Sequence, residues 1–302
     1  MTNDEESFVI RIMFFTIGCF QTLCAPMSDQ ATDLRALVRQ VATGHAPVAI
    51  RPRRIVVFGG KGGVGTTTVA VNLAVALAQQ AQCSLVCDVA GGDVALQCRL
   101  EPRYTLADAL AGNRTLGQVL QSGPAGVQIL PGTRELVRWH ETAEHAWNRL
   151  MTQLPLLPRR PEVVVFDAGS QPDPLARQLW QAADRVLLVT SVETAAIMDA
   201  YGSIKLLTDP TRSASIALLV NRPPKESVAE EAQQRLAQAC RRFLGLTLRS
   251  VGHLPEDGGV PQCAVLGESF VLAKPACPAS LYLRQVARAV GNHVSARQPV
   301  AA

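Results

Sequence analysis

From Arg54 onward the chain alternates between short, unbroken apolar runs and longer stretches with helical spacing of apolar positions. The runs are "RIVVFGG", "SLVCD", "VQILPG", "EVVVFDAG", "RVLLVTS" and "IALLVNR". None alternates apolar with polar, so each reads as a strand buried on both faces. Between them lie helical patterns at Thr67–Gln80, "TLADALAG" and "ELVRWHETAEHAWNRLMTQL"; "TLRSVGHLP" then precedes a last helix near Ala279–Val294. Repeated β-α units predict a doubly wound, mostly parallel sheet with helices on both faces.

Before this domain the pattern changes. "SDQATDLRALVRQV" places Ala31, Leu34, Val38 and Val41 on one helical face, with Ser28 or Asp29 available as N-cap. "TGHAPVAIRPRR" then reads as a Gly/Pro-containing linker with a basic end, more a solubilising tether than a lipid or DNA patch. The first 26 residues are apolar enough to resemble a signal peptide, but "TNDEES" in front is acidic and Arg11 interrupts the run. The expected division is 1–26 as a start-site artefact or apolar leader ahead of Met27, 27–42 as an amphipathic helix, 43–53 as linker, 54–294 as the α/β domain and 295–302 as a tail.

Composition narrows the partners. With 302 residues, 48% hydrophobic, there is enough chain for one large domain, and a net charge of +4 is too small to argue for specific nucleic-acid binding. The eight cysteines form no C-x-x-C pair, and Cys83 and Cys87 on one strand would lie roughly 13 Å apart, beyond disulfide reach. They read as reduced thiols of a cytoplasmic protein. "HETAEH" separates His140 and His145 by five positions, which puts them on different faces of a helix and argues against a zinc site.

The stretch that carries chemistry is "GGKGGVGTTT", Gly59–Thr68, between an apolar strand and a helix. Its glycines let backbone N–H groups curl round phosphates, and the helix N-terminus adds partial positive charge. A phosphate loop reads G-x-x-x-x-G-K-[ST]. Here Gly60, four residues and Gly65 are followed by Thr66 where lysine belongs, and Thr67 fills the position whose hydroxyl binds Mg²⁺.

"KGGVGTTT" resembles the deviant Walker A motif of MinD/ParA-type ATPases. The resemblance implies a P-loop NTPase fold that binds ATP or ADP with Mg²⁺ through Gly60, Gly62, Gly63, Gly65, Thr66, Thr67 and Thr68. It implies that Lys61 is the signature lysine that crosses a nucleotide-sandwiched homodimer. Asp88 matches the first aspartate after the second strand, Asp167 the Mg²⁺-water partner, and Asn221 the asparagine that reads adenine. Lys61, Asp88 and Asp167 are the expected catalytic residues; Thr67 and Asp167 are the expected metal pair. Three positions depart from the pattern: Thr66 replaces the cis lysine, Ala90 replaces the second aspartate of D-x-D, and Gln171 replaces the glycine of D-x-x-x-G. Asp93 is a substitute candidate for the second aspartate. Losing a cation beside the phosphates predicts weak or absent ATP hydrolysis.

"SDQATDLRALV" is similar to the D-Q-A-x-x-L-R activator helix of the FlhG/YlxH-type branch, regulators of flagellar placement and number. On that resemblance Asp29, Gln30, Ala31, Leu34 and Arg35 dock on a FlhF-like, signal-recognition-type GTPase. The resemblance runs from Ser28 to about Val294 and also implies a cytoplasmic protein with a peripheral contact at the inner face of the membrane. The competing expectation is an active ParA/MinD-type partitioning ATPase that positions DNA or other cargo. A tyrosine kinase of the same fold would need a C-terminal tyrosine cluster, which Tyr104, Tyr201 and Tyr282 do not make.

Overall fold

The structure is a computed structural model that describes residues 51–91, 93–133, 143–209 and 215–291. The chain divides into two units, Met1–Ile50 and Arg51–Ala302, and every described residue belongs to the second. The expected activator helix and the first part of "ELVRWHETAEHAWNRLMTQL" therefore lie outside the described residues.

The strands are β1 (Arg53–Gly59), β2 (Ser84–Asp88), β3 (Gln121–Ser122), β4 (Gln128–Leu130), β5 (Val163–Asp167), β6 (Arg185–Thr190), β7 (Ser215–Asn221) and β8 (Arg249–Leu254). They form one sheet in the order β3-β4-β2-β5-β1-β6-β7-β8. All described pairings are parallel except the short edge pair β3–β4. The helices are α1 (Thr66–Ala78), α2 (Asp93–Gln97), α3 (Leu106–Ala111), α4 (Leu116–Val119), α5 (Ala143–Gln153), α6 (Pro174–Ala182), α7 (Thr194–Leu207), α8 (Glu226–Leu244), α9 (Gly259–Val265), α10 (Phe270–Ala273) and α11 (Pro278–Gly291). Among them no helix is long and apolar enough to cross a membrane.

The unbroken apolar runs have a direct cause. On β1, Val56 and Phe58 enter one core layer with Trp180 of α6 and Ile204 of α7, while Ile55 and Val57 enter the other with Leu73 and Leu77 of α1 and Val286 of α11. A strand covered on both sides is apolar through its middle, and its buried polar residues, such as Arg54, Asp88 and Asp167, fall at the strand ends. Phe58 and Trp180 meet edge to face, with ring centroids 5.5 Å apart. Helix α1 is buried on almost every side. Its one buried polar side chain beyond the first turn, Asn72, donates to the Thr68 carbonyl (2.9 Å) and accepts from the Ser269 hydroxyl (2.7 Å), tying α1 to the C-terminal segment.

The basic end of the expected linker is partly structural. Arg53 and Arg54 belong to β1, and the Arg54 backbone N–H donates to Asp184 (2.9 Å) while its buried guanidinium lies 3.5 Å from the same carboxylate. The short elements β3, α2, α4, α9 and α10 add to the expected alternation. The strand order changes direction around β1, which lies between β5 and β6. In open parallel sheets that reversal leaves a crevice beyond the carboxyl ends of the strands, where ligands bind.

Candidate nucleotide-binding site

The ends of β1, β2, β5, β6, β7 and β8 border this crevice. The loop after β1 is pinned at its base by Gly59 N–H to the Gly169 carbonyl (2.7 Å) and Gly60 N–H to the Val189 carbonyl (2.7 Å). Its apex requires glycine on two grounds. Gly63 (φ 79°) and Gly65 (φ 92°) take left-handed conformations. A Cβ on Gly65 would also come within 2.6 Å of the Asn221 amide nitrogen, and one on Gly60 within 2.8 Å of the Ala200 methyl. Gly62 is open, with only Ser170 near it.

Thr66 opens α1 and is buried. Its hydroxyl lies against Gly59 at the base of the loop, where a Cβ on that glycine would meet it at 2.4 Å. A side chain so short and so placed supplies neither charge nor reach. Thr68 accepts from the Gln97 amide through its hydroxyl (3.2 Å). Lys61 is exposed, and its Nζ pairs with Glu193 Oε2 at 3.0 Å, immediately before α7.

Beneath the loop lie two buried carboxylates. Asp88 and Asp167 end β2 and β5 and stand opposite each other in the sheet register. Asp88 is well bonded: Oδ1 accepts from the N–H groups of Ala90 (3.0 Å) and Gly91 (3.2 Å), and Oδ2 from Val94 (3.2 Å). Asp167 Oδ1 accepts from the Gly169 N–H (3.3 Å), the Thr67 hydroxyl is near enough to favour its charged form, and its buried Oδ2 has no hydrogen-bond partner among the described residues. Burial first, then the charge of Asp88 and more weakly of Asp93, push its pKa up to about 7, against the pull of Thr67 and Gly169. A hydroxyl beside a carboxylate with one unused oxygen is the hard-oxygen donor set that Mg²⁺ takes, so Thr67 and Asp167 fit the ion.

The departures from the family pattern also have places. Ala90 faces Gly169, and a Cβ on Gly169 would come within 2.9 Å of the Ala90 methyl. Gly169 (φ 63°), two residues before Gln171, is the left-handed position in the loop after β5. Asp93 is the exposed first residue of α2 and close enough to act on Asp167 electrostatically.

On the far side of the loop is a largely apolar cavity of about 330 Å³. Gly65, Thr68 and Val69 line one wall, Asn221 and Arg222 the floor, and Leu254–Gly258 with Val260, Phe270 and Ala279 the rest. Asp257 organises the outer wall by accepting from the Gly259 N–H (2.9 Å), which holds its pKa below the usual range. Asn221 donates its amide to the Val64 carbonyl at 2.7 Å and so joins loop and cavity.

Gly60, Gly62, Gly63, Gly65, Lys61, Thr66, Thr67, Thr68, Asp88, Asp167 and Asn221 thus meet at one edge of the sheet. Asp29, Gln30, Ala31, Leu34 and Arg35 lie outside the described residues. Sequence reasoning missed Glu193, Asp257 and Arg222. The signals available for them were weak: a charged residue just after a strand, and a D-G-G turn.

Comparison with known proteins agrees with this geometry. A family described as an AAA domain matches residues 52–212. The antiactivator FleN of Pseudomonas aeruginosa is 33% identical over 264 residues, covering 84% of this chain and 90% of its own length. The septum site-determining protein MinD of Escherichia coli is 25% identical over 253 residues, covering 80% and 92%. The solved MinC:MinD cell division protein complex of Aquifex aeolicus superposes with a TM-score of 0.62 at 25% identity, covering 82% of this chain and 98% of that one.

Proposed function

The chain belongs to the MinD/ParA-type family of P-loop ATPases, and within it we propose a FleN-like regulator of flagellar placement and number that binds nucleotide but turns it over slowly. The observation that carries the slow-turnover reading is Thr66, neutral and packed against Gly59 where the cis lysine belongs. Ala90 adds to it, since a methyl facing Gly169 cannot hold an attacking water.

Binding rests on parts the chain retains. The N–H groups of the loop and the start of α1 would cradle the phosphates, and Asn221 and the cavity beside it would take the base. Thr67 and Asp167 would hold Mg²⁺, which would supply positive charge beside the nucleotide phosphates. Lys61 would leave Glu193 to reach the nucleotide of a second copy. That exchange is inexpensive because an exposed ion pair contributes little.

The output is a protein contact. Asp29, Gln30, Ala31, Leu34 and Arg35 would dock on a FlhF-like, signal-recognition-type GTPase, with nucleotide state setting dimerisation and a peripheral location at the inner membrane face. The test uses the full chain with such a GTPase. Wild type stimulates GTP turnover; a Leu34→Glu, Arg35→Ala double variant does not, while still binding ATP. Equal stimulation by both sinks the docking reading. Rapid ATP turnover by the wild type would favour the partitioning-ATPase alternative.

A further inference from the structure

Asn221 and Arg222 are consecutive residues at the end of β7, and both donate to the phosphate loop. The Asn221 amide bonds the Val64 carbonyl at 2.7 Å, and the Arg222 guanidinium bonds the Gly63 carbonyl at 3.1 Å. In a trans peptide the C=O and the following N–H point opposite ways. Holding those two carbonyls toward β7 therefore turns the Val64 and Gly65 N–H groups away from it.

Arg222 reaches this position at a conformational cost. Its φ is 52°, in a region non-glycine residues rarely adopt, and its own N–H is fixed on the Leu254 carbonyl at 2.8 Å. Strain of this kind persists where surrounding bonds impose it, and it concentrates at functional sites. Arg222 also lines the cavity with Asn221, Gly65 and Thr68, so it stands where loop and cavity meet.

Cations around the loop are few among the described residues. Thr66 brings none, and Lys61 is paired with Glu193. The Arg222 guanidinium is exposed, bonded to the loop itself, and in no ion pair among the described residues. It carries five N–H donors and stays charged at any working pH. The bond to Gly63 leaves most of those donors for a phosphate oxygen.

We propose that Arg222 is the cis cation of this phosphate site, balancing nucleotide phosphate charge from the β7 side in place of the lysine that Thr66 lacks. This rests on the nucleotide-binding reading above. It makes the change at Thr66 a relocation of charge from the first turn of α1 to the end of β7.

The test measures affinities of the full chain for ATP, ADP and adenosine by calorimetry, in wild type, Arg222→Gln and Arg222→Lys, each with and without Thr66→Lys. Arg222→Gln should weaken ATP and ADP about tenfold and adenosine by a much smaller factor, since charge-assisted bonds to phosphate are the ones lost. Arg222→Lys, which keeps the charge, should retain most of the affinity and confirm that the position tolerates change. Thr66→Lys should restore Arg222→Gln, because a charge supplied from α1 replaces one lost from β7. A purely structural clamp predicts that Thr66→Lys gains the same factor in wild type and in Arg222→Gln, whereas replaced charge predicts a larger gain in Arg222→Gln. The proposal is overturned if Arg222→Gln binds ATP like wild type, if it weakens adenosine equally, or if Thr66→Lys gains no more in Arg222→Gln than in wild type. Wild type that binds no nucleotide overturns the binding reading, and this inference with it.

Discussion

The phosphate end and the base end of the site are made of different materials. At the phosphate end, backbone dominates: glycines at 60, 63 and 65, the start of α1, and carboxylates at two adjacent strand ends. At the base end, side chains from β7, the segment after β8, α9, α10 and α11 enclose the cavity. The phosphate end has lost side-chain charge at Thr66 and a carboxylate at Ala90, yet its backbone path is intact. A backbone cradle depends on the fold, so it survives as long as the sheet does. A catalytic side chain depends on one residue and is lost by one substitution. Binding and hydrolysis are therefore separable in this architecture.

The largest expected effect comes from breaking the backbone. Gly65→Val adds a β-branched side chain at φ 92°, against the Asn221 amide. It should abolish measurable nucleotide binding and cost about 2 kcal/mol or more of stability, read by denaturant melts.

Asp167→Asn sharpens the other half of the phosphate end. The folded-state pKa of Asp167 is raised to about 7, so its proton stabilises the metal-free fold fully below the unfolded value. That stability is lost as pH rises through about 7. Asparagine removes the dependence. Metal-free Asp167→Asn should therefore exceed wild type by on the order of 3 kcal/mol at pH 8, with little difference at pH 4. It should also lose any stabilisation by Mg²⁺.

At the base end, Asn221→Ala removes a bond to the Val64 carbonyl and a contact in the cavity. Calorimetry should show ATP, ADP and adenosine all weakened about tenfold, a uniform loss that phosphate-end variants do not give. The smallest effect is at the rim. Glu193→Ala frees the exposed Lys61 and should change the unfolding free energy by less than about 0.5 kcal/mol.

The sheet was legible because both of its faces are covered, which leaves the strands as plain apolar runs. β3, two residues long, and α4, four residues long, gave no periodicity to read. Arg53 read as linker because its charge masks a strand start; in the fold its guanidinium donates to the Gln82 amide oxygen, and Arg54 beside it lies against the Asp184 carboxylate. At the site, the glycine pattern and Thr66 were plain in one dimension. The partner of Lys61 and the hold of Arg222 on Gly63 were not, since those pairs are separated by 132 and 159 residues. The left-handed backbone of Arg222 has no signature at all in an arginine followed by proline.

The most direct measurement is ATP turnover by the purified full chain, at nucleotide concentrations calorimetry has shown to be saturating, beside Thr66→Lys. The account predicts that wild type binds Mg-ATP and turns it over at or near background, while Thr66→Lys binds about tenfold more tightly. Brisk wild-type turnover, lost on Lys61→Ala, would contradict it.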